Sequence, residues 1–160
     1  MFMPAPIVSW YDPNNNAVSQ WNIGTVDAGS VSADFTVDIW NNKGGTNDVS
    51  TMQNCQITTK DSAGGNTGEL VTDTWIKARC DSLQNGSADT FGAIGGTITK
   101  TIEAEGATNP GEISGLANTG DPNAAADNAN FARVTLHAEV PPTATAGNVV
   151  FLTRVSYQYV

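Results

Sequence analysis

Apolar and polar residues alternate most cleanly at residues 31–40. Val31, Ala33, Phe35, Val37 and Ile39 fall on one side; Ser32, Asp34, Thr36, Asp38 and Trp40 fall on the other. A period of two sustained over that length predicts a strand with one buried and one solvent-facing side. The same pattern returns near the end, where Val134, Leu136, Ala138 and Val140 oppose Arg133, Thr135, His137 and Glu139. Pro141 and Pro142 stop that strand, because proline donates nothing to a ladder. Residues 149–160 form the last predicted strand, with Phe151, Val155, Tyr157 and Tyr159 on one face. Weaker apolar runs predict further strands at 7–11, 18–26, 52–60, 70–80 and 97–103; Cys55 and Ile57 share a face in one, Ile98 and Ile102 in another.

Between these runs lie clusters of Asn, Asp, Gly, Ser and Pro at 12–16, 27–30, 41–48, 61–68 and 143–148, the residues that make turns. Residues 81–96 read as a loop anchored by Phe91 and Ile94. Short strands separated by turns predict an all-β chain, an antiparallel β-sandwich with long loops. Phe35, Val37, Ile39, Val134, Leu136, Val140 and Val155 are the predicted core. Residues 105–128 carry few large apolar groups and no pattern beyond one helical turn at 124–126. They read as a long excursion, without regular sheet structure, that lies against another chain or folds back over an open sheet face.

Composition sharpens this picture. Only 14% of residues are charged and 39% are hydrophobic, the balance being rich in Gly, Asn, Thr, Ser and Ala, which disfavours helices. A length of 160 residues predicts one domain, 1–160, with an extended N-terminal arm at 1–6. The net charge of −9 opposes nucleic-acid partners and anionic membranes. The opening residues have no basic region and no apolar core, so no signal peptide is expected: either the chain is made in the host cytoplasm and stays there until something releases it, or a leader is cut off ahead of residue 1.

Candidate chemistry is sparse. His137 is the only histidine and is expected on the outer face of its strand, without a nucleophile-elbow motif elsewhere. Glu103, Glu105 and Glu112 cluster in sequence, as do Asp34 and Asp38; the latter pair is expected outward, for solubility and edge protection. The oxygen-rich stretches at 12–16 and 121–128 lack calcium-loop spacing and read as turns. Cys55 and Cys80 are expected to be buried thiols without a bridge. No catalytic residue, metal or cofactor is assigned, and the chain is expected to be non-enzymatic. Trp40, predicted on the polar face, is a candidate contact for a partner or a sugar ring, unless the following loop covers it. Phe2 and Pro4 in the arm, with Pro110 and Pro122 in the excursion, are the other candidate partner contacts.

Two stretches carry a family pattern. One is Ile23-Gly24-Thr25-Val26-Asp27-Ala28-Gly29-Ser30, which leads into the alternating strand and Trp40-Asn41-Asn42-Lys43-Gly44. The other is Val140-Pro141-Pro142-Thr143-Ala144-Thr145-Ala146-Gly147-Asn148. Together they resemble immunoglobulin-like β-sandwich modules of bacterial surface and transport-associated proteins. A free-standing, acidic, Asn/Gly/Thr-rich sandwich resembles more closely a virion protein of bacteriophages and prophages of Gram-positive bacteria, over Trp10 to Val160. The resemblance implies a structural protein located in the virion, a capsid decoration or a tail or baseplate component. Its partners would be other virion proteins and copies of itself. The alternative is a carbohydrate-binding or cell-surface adhesion module whose partner is a host-surface glycan.

Overall fold

The strand between Phe35 and Asn41 (β2) lies second in a five-stranded antiparallel sheet whose order is β1-β2-β7-β4-β5. Its neighbours are β1 (Val8–Tyr11), β7 (Phe131–Ala138), β4 (Ile76–Cys80) and β5 (Gly92–Ile94). A second antiparallel sheet has the order β6-β3-β8, from Lys100–Thr101, Gln53–Asp61 and Phe151–Gln158. The protein is therefore all-β, with two antiparallel sheets, in a computed structural model that describes residues 2–83 and 89–160.

The core lies between the sheets. Val37 and Ile39 of β2, Val134 and Leu136 of β7 and Ile76 of β4 are buried in one cluster with Cys55 and Ile57 of β3. Of the predicted core, Val37, Ile39, Val134 and Leu136 are fully enclosed, while Phe35, Val140 and Val155 are half-buried and pack against the cluster. In β3 the inward face changes parity, because Met52 is buried together with Cys55 and Ile57. The pairing with β8 slips between Gln53 and Gln56, and Asn54 takes a left-handed φ of 51°. The extra residue of this bulge lets both apolar sets face inward.

Five sequence expectations change. The strand expected at 31–40 begins only at Phe35; Val31 and Ala33, expected on its buried side, are exposed, and Val31 meets Glu139 through an isolated bridge. Residues 18–26 join no ladder: Val18 N–H donates to the Trp10 carbonyl, and the stretch beyond is held by side chains. The 70–80 segment is a strand only from Ile76; Glu69–Thr72 forms one helical turn (α1). A strand would send Leu70 and Val71 to opposite faces, whereas the helical turn buries both. In 97–103 only Lys100 and Thr101 pair with β3, and Ile98 sits exposed in a turn closed by mutual hydrogen bonds with Gly95. Within 81–96, Gly92–Ile94 is a strand rather than loop.

The excursion at 105–128 folds back on its own chain. Met52 and Ile113 exchange both backbone hydrogen bonds, and Val49 and Cys55 donate to Gly115 and Gly111. Ile113 is fully buried beneath this contact. Glycine is required here: a Cβ on Gly115 would run into the Val49 carbonyl oxygen, and one on Gly111 would stand 2.9 Å from the Asn54 Cα. The segment ends in a 3-10 helix, Ala125–Asn130, that leads directly into β7.

Candidate functional site

The outer face of the five-stranded sheet holds most of the residues that could carry chemistry, and most of its charges are paired with one another. Arg133 of β7 grips Asp38 of β2 with two bonds, Nε to Oδ1 at 2.7 Å and Nη2 to Oδ2 at 3.0 Å. Asp81 accepts from Arg79 Nε at 2.6 Å and from the Thr135 hydroxyl. His137 Nδ1 lies 3.2 Å from Asp34, its Nε2 lies 3.0 Å from Glu139, and its ring packs 4.0 Å from Phe91. Both ring nitrogens are thus engaged by carboxylates rather than by a hydroxyl or thiol.

Asp38 and His137 correct the sequence reading. Both lie on the outer face as expected, but Asp38 is fully buried and His137 is buried as well. Asp38 also protects no edge, because β2 is flanked by β1 and β7. Trp40 is likewise no partner contact. It is wholly enclosed, with Phe131 at 4.5 Å and the Lys43 ammonium 4.9 Å over its ring. Lys43 comes from the following loop and donates to the Gly120 carbonyl, so that loop and the excursion together cover the indole.

The oxygen-rich loops use their carboxylates to hold backbone. Asp12 accepts from the N–H groups of Asn14 and Asn16, and Asp61 from those of Thr67 and Gly68. Asp127 accepts from the Thr119 hydroxyl and from the N–H groups of Thr119 and Asp121. Burial alone would raise the Asp127 carboxyl, but these donors outweigh it and hold the group below its ordinary value. A depressed folded value contributes stability that is fully present above 3.8, the ordinary value, and is lost as the pH falls through the folded one. Asp127→Ala should cost about 1–3 kcal/mol at neutral pH. Urea midpoints recorded from neutral to acidic pH should fall less steeply in Asp127→Asn than in the parent; equal slopes would remove this role.

Glu103 is buried, Glu105 is exposed and Glu112 is tied to Asn109, so the three glutamates do not flank a common cleft. Cys55 and Cys80 are free, buried and in different sheets; burial pushes the Cys55 thiol up to about 12, which leaves it inert at neutral pH. Among the described residues, no three His, Cys, Asp or Glu side chains gather as a metal-binding set.

A sizeable opening lies elsewhere, where segment 18–24 meets β2 and the start of β8. Trp21 stacks on Phe35 at 5.3 Å and meets the edge of Phe151 at 5.9 Å. Together with Trp10 and residues 149–153 they line a cleft of about 600 Å³. Its polar groups are the neutral side chains of Ser19, Gln20, Asn22 and Thr153, and no charged residue lines it. Sequence reasoning missed this site, although a signal was present. Residues 13–26 and 140–153, which supply most of its walls, carry no charge, and neither do residues 1–11.

The remaining predicted contacts divide. Phe2 and Pro4 are exposed on the leading segment and Pro110 is exposed on the excursion, but Pro122 is buried and presents nothing to a partner. Its loop turns inward to place Asp127 under Thr119 and Asp121. The structure does not bring the arm and the excursion prolines into one patch with Trp40, because Trp40 lies beneath the loops.

No protein-family model matches the chain, and no curated protein matches it.

Proposed function

We propose that this chain is a non-enzymatic structural component of a bacteriophage or prophage virion, a capsid decoration or a tail or baseplate protein of immunoglobulin-like fold, held in place by protein–protein contacts. The supporting observation is where most of the exposed large apolar side chains lie. Phe2, Ile7, Val149, Val150, Leu152 and Tyr159 stand exposed on the leading segment and along β8. Among the described residues, β8 pairs only with β3 and leaves its other edge without a strand. An open edge beside exposed apolar groups is a ready template for another chain. The outer face of the larger sheet, whose charges are mostly satisfied internally, offers no comparable demand for a partner.

The test is to induce or propagate the phage that carries the gene, band the particles by density and identify their proteins by mass spectrometry. The chain should band with intact particles in a fixed ratio to the major capsid or tail protein. Recovery only in the free soluble fraction would sink the reading.

A carbohydrate-binding or adhesion module is the second reading, and the uncharged aromatic cleft is what favours it. Trp10 and Trp21 beside the amides of Gln20 and Asn22 supply ring faces and neutral hydrogen-bonding groups, the combination that suits an uncharged sugar. Host-glycan binding that is lost in Trp10→Ala would support it.

A further inference from the structure

The exposed leading segment and the aromatic cleft lie at opposite ends of β8. The Pro4 carbonyl accepts from Ser50 N–H, and the Ser50 hydroxyl donates to the Val160 carbonyl, so the leading segment is pinned where β8 finishes. The cleft is walled by residues 149–153, where β8 starts. The eight residues of β8, at about 3.3 Å each, separate the two by about 26 Å. Phe2 is two residues from Pro4, and two extended residues reach about 7 Å. Its ring is fully exposed and cannot enter the cleft of its own chain.

We propose that Phe2 and Met3 of one copy occupy the cleft of the next, so that the chain assembles head to tail. This rests on the assembly reading above and names its contact. The occupant follows from charge and shape. Each copy carries −9, so two copies repel one another overall, and the contact that adds least to this repulsion is one between uncharged surfaces. Residues 1–11 and the walls of the cleft are such surfaces. Interface cores are depleted in charge and enriched in aromatic residues and Met, and the leading segment brings Phe2 and Met3 to Trp10, Trp21 and Phe151. Half-buried rings around a cleft of about 600 Å³ give an aromatic anchor a seat. The two contact surfaces differ and sit at opposite ends, so the interface is heterologous. It propagates into a ring if the rotation between copies closes and into a filament if it does not.

Two surface substitutions test this without touching the core: Phe2→Asp at a wholly exposed ring, and Val150→Asp at a cleft-wall residue that is 74% exposed. Sedimentation equilibrium over rising concentration should show the parent growing beyond the 16.7 kDa single chain. Each variant alone should associate about 30-fold more weakly or worse, the loss expected for a central aromatic contact. An equimolar mixture should stop at two chains, because Phe2→Asp keeps a working cleft and Val150→Asp keeps a working anchor. Near-UV circular dichroism matching the parent keeps misfolding out of the comparison. Parent oligomers unchanged by both variants would overturn the contact while leaving the virion reading to the banding experiment. So would a parent that stays a single chain, or a mixture that behaves like either variant alone. Tryptophan fluorescence that responds to a neutral monosaccharide, but not to a peptide of residues 2–7, would make the cleft a sugar site instead.

Discussion

Trp40→Ala should destabilise the protein by about 3–5 kcal/mol, the range for emptying a large buried aromatic site. The indole has no exposed surface, and it sits between Phe131, the Lys43 ammonium and the loop that Lys43 ties to Gly120. Its removal leaves a cavity under two loops and strips Lys43 of a ring on which it rests. Trp40→Phe should cost much less. It keeps an aromatic body and removes an indole N–H that is buried without a hydrogen-bond partner among the described residues. Urea denaturation of both variants measures this. A Trp40→Ala midpoint within experimental error of the parent would mean that the loops collapse onto the site without loss. The expected signature is thus one of stability, in contrast to the partner contact that strand alternation alone suggested.

Arg133→Met should destabilise by about 3 kcal/mol, at the low end of the cost of breaking a buried ion pair. Asp38 is fully buried and accepts both of its bonds from this guanidinium. The arginine side chain is one-third exposed, so part of its own charge remains hydrated in the pair, which places the cost at that lower end. The loss comes mainly from Asp38, a fully buried carboxyl left without its two donors. The double replacement Asp38→Leu with Arg133→Met should recover most of the stability, since apolar groups of similar bulk remove the desolvation penalty along with the attraction. A double-mutant cycle in denaturant reads the coupling. Additive single and double effects would show that the two side chains do not act as a pair.

The long strands were legible in the sequence because each has one face against the core. Val37, Ile39, Val134 and Leu136 alternate with polar residues, and all four are enclosed between the sheets. The turns were legible for a related reason, since Asp12 and Asp61 sit in Asn- and Gly-rich clusters and hold the backbone within a few residues of themselves. The candidate cleft was not recognised from alternation. Its walls come from 10, 18–24, 35, 136 and 149–153, and only the fold brings these together.

Period-two alternation therefore determined which side of β2 and β7 faces the core, because that depends on neighbouring residues along one strand. It did not determine whether the other side meets water. Asp38, Trp40, Thr135 and His137 are all on that other side, and all are buried. Lys43, tied to Gly120 of the excursion, lies over Trp40, Phe91 over His137, Arg133 against Asp38 and Asp81 against Thr135, and each of those contacts depends on how the chain packs. Residues 18–26 have strand-like composition but join no ladder, and at 69–72 a helical turn buries Leu70 and Val71 together. In both, sheet order and the shape of the core overrode local preference. Side-chain direction along a strand is a local property, whereas the identity of what lies over it is set by long-range packing.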